Sequence, residues 1–144
     1  MSETAETKLQ NSIEKIEEAY EYMLAYAAQG RKDEPAEGDA SKVPSIRSFL
    51  ENMLWGIENI TLAFSESAQS ISNDSAVVES FEHFKTVLAN DALAASAVVG
   101  MALKVPSLSS QLIDNLNAST HLRCLLTDIF VLDEVLRIHQ QKKG

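Results

Sequence analysis

The chain has 144 residues, 45% of them hydrophobic, and a formal net charge of −9 with a pI near 4.7; that is enough apolar material for one core, and a single domain over 1–144 is expected. The acidic balance speaks against nucleic-acid backbones and anionic membranes as partners. One cysteine, Cys124, excludes an intrachain disulfide framework, and the N-terminus MSETAETKLQ lacks the basic start and apolar stretch of a secretory signal, so a cytoplasmic location is expected.

Periodicity predicts helices throughout. Over 6–29, Leu9, Ile13, Ile16, Tyr20, Met23 and Ala27 follow at alternating steps of four and three, which puts them on one helical face. Gly30, Pro35, Gly38 and Pro44 then fall among dense charge, and 30–43 is expected to be a mobile charged loop. A second helix over 44–69 carries Ile46, Leu50, Met53, Ile57, Ile60 and Phe64. The polar run SESAQSISNDSA ends it, with Asp74 or Ser75 capping a third helix over 75–104. That helix carries Val77, Phe81, Phe84, Leu88, Asp91, Ala95, Val98 and Ala102. After the turn at Pro106, a fourth helix over 106–141 bears Leu122, Leu125, Ile129, Leu132 and Leu136. Two of the three connections are short, so the expected fold is an all-α four-helix up-down-up-down bundle, with a fifth helix if Asn90-Asp91 breaks the third. The apolar run Ala92 to Leu103 is too short for the roughly 20 residues of a bilayer span.

Catalytic and cofactor signatures are scarce. His121, Cys124 and Asp128 stand at i, i+3 and i+7 on one helical face, but three ligands on one helix without a second His/Cys pair are a poor metal set. There is no Glu-x-x-His for a di-iron site, no glycine-rich phosphate loop and no nucleophile elbow. The stretch STHLRCLLTDI is similar in outline to the box around the phospho-accepting histidine of sensor kinases. It departs where the chemistry sits, since Thr120 takes the accepting position and His121 the place of the adjacent acidic residue. No metal, no cofactor and no enzymatic activity are expected. Gly56 and Gly100 inside helical patterns are expected to permit close helix approach.

What remains is shape. In the fourth predicted helix Cys124, Val131, Val135 and Ile138 lie off the seam, so the helix is apolar at nearly every angle, and such a helix wants covering on all sides. On the second, Trp55 and Leu62 lie seven apart, opposite its seam. The expected function is a non-catalytic helical interaction module, a homodimer, adaptor or assembly subunit that recognises a protein partner through these faces. The alternative is a small-molecule or phosphorelay-type signalling bundle with a polar site between the third and fourth predicted helices. Its centre is Asp91, which either sits inside on the seam, where it needs a partner, or caps a break in the third helix and faces water. Folding the helices back at Pro106 sets Asn115, Ser119 and His121 near it, with Tyr20 at the same level, as a polar layer.

Overall fold

The computed structural model describes residues 4–35 and 45–143, and among them all regular structure is helical. The helices are α1 (Ala5–Ala28), α2 (Ile46–Ala68), α3 (Ser75–Ala102), α4 (Ser110–Ala118) and α5 (Thr120–Lys143). Each of the first four starts on a capping side chain that accepts a first-turn N–H: Thr4 from Thr7, Ser45 from Ser48, Asp74 from Ala76 and Val77, Ser109 from Leu112. These oxygens satisfy donors that a helix start otherwise leaves bare.

The fifth helix arises at Ser119 and not at Asn90-Asp91. α3 runs unbroken through Asp91, whereas Ser119 adopts an extended conformation (φ −61°, ψ 125°) and divides the fourth predicted segment into α4 and α5. The first helix after the Pro106 turn also starts later than expected, at Ser110.

Neighbouring helices run antiparallel: Ser70 at the end of α2 reaches Glu6 at the start of α1, Arg47 at the start of α2 reaches Leu103 at the end of α3, and Phe81 of α3 meets His139 of α5. α1 packs on α2 and α4, and α3 on α2 and α5. The seams become one core, with Ile13, Ile16, Met23, Leu50, Met53, Ile57, Ile60, Leu88, Leu122, Leu125 and Ile129 essentially inaccessible. Burial of that apolar surface is what holds the helices together, because helix propensity alone is marginal. Gly56 permits a close approach of α2 to α1, since a Cβ there would lie 2.7 Å from the Ser12 carbonyl oxygen; Gly100, by contrast, faces open space.

A polar clamp closes one end. Gly30, with φ +66°, turns the chain out of α1 so that Arg31 exchanges hydrogen bonds with Ser110: its N–H donates to Ser110 Oγ and its carbonyl accepts the Ser110 N–H, each 2.8 Å. Tyr26 is buried and donates its hydroxyl to the Leu108 carbonyl at 2.6 Å. Glu34 accepts from Arg47 and from the Leu108 N–H, while Arg47 also donates to the carbonyls of Leu103 and Val105. The segment expected to be a mobile loop from residue 30 is therefore anchored through Glu34; residues 36–44 lie outside the described residues.

Candidate functional site

α3 and α5 meet along a groove whose two halves differ in character. On α5, Thr120, Arg123, Cys124, Thr127, Asp128, Val131 and Val135 follow at steps of three, four or one, and on α3 Phe84 and Asp91 are seven apart, so each set lies along one helical face. Antiparallel packing sets Phe84 against Val131 and Val135, and Asp91 against Asp128.

The first half is apolar. Phe81, Phe84, Leu132 and Val135 line a crevice of about 210 Å³, with Phe64 of α2 at its floor and Val131 at its rim. Phe64 meets the rings of Phe81 and Phe84 edge-on at 5.7 and 5.5 Å, the favourable arrangement for aromatic quadrupoles. Val131 is 54% exposed, and Val87, Phe130 and Ile138 are also open to solvent.

The second half is a shallow cleft of about 390 Å³ lined by Asp91, Asp128, Thr120, Arg123, Cys124 and Thr127. Burial, a hydrogen bond with the Asp91 carboxyl and the Asp91 charge together raise the pKa of Asp128 from 3.8 to about 7. Were both groups ionised, Asp128 Oδ2, which is shut off from solvent, would have no donor. A proton held between the two carboxyl groups answers that need. Nothing else does: the Thr127 hydroxyl is committed to the Arg123 carbonyl at 2.9 Å, and among the described residues the ion pairs are Arg47–Glu34 and Arg137–Glu134.

The residues expected to form a polar layer are dispersed. Asp91 is half-buried beside the seam, and Ala92 takes the inward position that the periodicity assigned to Asp91. Its partner is Asp128, not Tyr20, Asn115, Ser119 or His121. Tyr20 packs against the core, Asn115 is exposed and accepts from Gln111, Ser119 forms the α4–α5 break, and His121 is exposed. The carboxylate pair sits between the third and fourth predicted helices, where the polar site was expected, but with different members. Asp128 entered the sequence reading only as a weak metal ligand, and among the described residues no three His, Cys, Asp or Glu side chains converge on a metal position.

The expected interface residues are spread over two faces. Cys124, Val131 and Ile138 are exposed on α5, and Val135 is half-buried in the groove. Trp55 and Leu62, 38% and 55% exposed, lie on the α1–α2 side, where the Lys15 ammonium stands 5.5 Å from the Trp55 ring centroid. The clamp of Tyr26, Glu34, Arg47 and Ser110 had no signal in the sequence, because its members come from four separate segments joined only by folding. Among the described residues, no helix is long and apolar enough to cross a membrane. No protein-family model matches the chain, and no curated protein or solved structure shows significant similarity to it.

Proposed function

We propose that this protein is a non-catalytic helical interaction module whose docking surface is the α3–α5 groove. The observation that carries the reading is the exposed Val131 at the rim of a crevice floored by Phe64 and walled by Phe81, Phe84 and Val135. Apolar surface of this kind, rimmed by polar residues, gains free energy when another chain covers it. A photo-cross-linking side chain placed at Val131 tests the reading: it should yield one defined adduct in cells of the source, and Phe84→Glu should abolish it. A cross-linker at exposed Glu66 on α2 serves as control. Equal adduct yield from both positions would end the reading.

The Asp91–Asp128 pair favours a second reading, a small-molecule site in the polar cleft. The cleft's shallowness weighs against it, because a ligand held there keeps most of its surface in water.

A further inference from the structure

The two halves of the α3–α5 groove constrain what can lie in it. An occupant running along α5 past Val135 and Val131 next meets Asp128, three residues or about 4.5 Å further along the helix axis. It therefore presents apolar groups to the first half and must meet two carboxyl groups in the second. Among the described residues neither carboxyl has a cationic partner, and Arg123 at the same cleft pairs with neither. With both carboxyl groups ionised, Asp128 Oδ2, which is closed to water, lacks a donor from the protein. The chain as a whole carries −9, which attracts basic partners and disfavours a second copy of itself.

Resting on the interaction reading of the groove, we infer that its occupant is a basic amphipathic helix of another protein. Apolar residues of that helix enter beside Phe84, Val131 and Val135, and a lysine or arginine one to two turns along sits against Asp91 and Asp128. The basic group lets both carboxyl groups ionise without mutual repulsion, so the proton between them leaves as the helix binds. The apolar half supplies adhesion, and the carboxylate pair fixes the direction and register of the helix, since a reversed helix brings its cation to the aromatic crevice instead.

The test uses the full-length protein and a displayed library of 18-residue helices, alanine-rich on one face and randomised on the other, with clones retained only if Val131→Glu prevents capture. Retained clones should share apolar residues at helical spacing and a Lys or Arg three to seven residues from them. For a synthetic peptide of such a clone, replacing the basic residue by norleucine should weaken binding about ten-fold or more to the wild type. The same replacement should change little on the Asp91→Asn/Asp128→Asn double variant, the signature of direct coupling. Val131 and both carboxyl groups lie outside the buried core, and circular dichroism verifies that each variant remains helical. Retained clones without a shared basic residue, or a norleucine effect of equal size on the double variant, would overturn the inference while leaving the groove as a docking surface. Absence of any Val131-dependent clone would overturn both. Concentration-dependent dimerisation abolished by Val131→Glu would assign the groove to a second copy and overturn the basic-helix proposal.

Discussion

Asp128 on α5 faces Asp91 on α3 across the groove, although at neutral pH two free aspartates would repel. The unfolded chain gives up the Asp128 proton near 3.8 and the folded protein near 7. Between those values the folded state holds more protons, so this group stabilises the fold fully below 3.8, and its contribution falls as pH rises through about 7. The full shift would correspond to about 4 kcal/mol at 1.36 kcal/mol per unit, but solvent access to the cleft reduces it to about 1–2 kcal/mol. Asp128→Asn should therefore be more stable than the wild type by that amount at pH 8 and nearly equal to it at pH 4, measured by urea denaturation. A constant difference across that range would show that no proton is shared.

Glu34 titrates with the opposite sign. Partial burial disfavours its charge, but the hydrogen bond from Arg47, the Leu108 N–H and the Arg47 charge outweigh this and hold its pKa below 4.5. Its contribution is present above 4.5 and is lost as pH falls through the folded value. At pH 7, Glu34→Ala leaves Arg47 and the Leu108 N–H without their acceptor and should cost about 1–3 kcal/mol. Arg31 and Lys32 are the trypsin sites next to this clamp, so the same variant should speed cleavage there several-fold, read by mass spectrometry of the first fragments.

Gly56 and Gly100 should respond oppositely to the same change. A methyl at Gly56 would stand 2.7 Å from the Ser12 carbonyl oxygen and 2.9 Å from Ile16 Cγ1, and the backbone oxygen cannot swing aside. Gly56→Ala should cost about 1–3 kcal/mol despite its better helix propensity. At Gly100 nothing lies within 4 Å, and Gly100→Ala should gain about 0.5–1 kcal/mol. Paired denaturation midpoints decide both signs.

Trp55, the only tryptophan, reports on the opposite face of the bundle. It is 38% exposed on the α1–α2 side beside Lys15, away from the α3–α5 groove. Binding of a helical peptide to the groove should leave its acrylamide quenching unchanged. Protection of Trp55 on binding would move the interface to the Trp55/Leu62 face.

Much of the architecture was legible because helix formation and burial are properties of a single segment. Leu9, Ile13, Ile16 and Met23, or Leu50, Met53, Ile57 and Ile60, repeat at helical spacing, and each set is buried. Asp74, in a polar run followed by an apolar period, was likewise one of the two caps expected there, with Ser75. The break at Ser119 was not legible, since Ser119 continues an acceptable helical pattern and only packing of α4 on α1 and α5 on α3 separates the two helices. The partner of Asp91 was decided by tertiary structure as well. Rotation of α3 by one residue, about 100°, determines whether Asp91 or Ala92 faces the core, and the sliding of α5 along it determines whether Asp91 meets His121 or Asp128. Periodicity within one helix says which face is apolar, but lateral register and rotation between helices come from how all the side chains interdigitate at once.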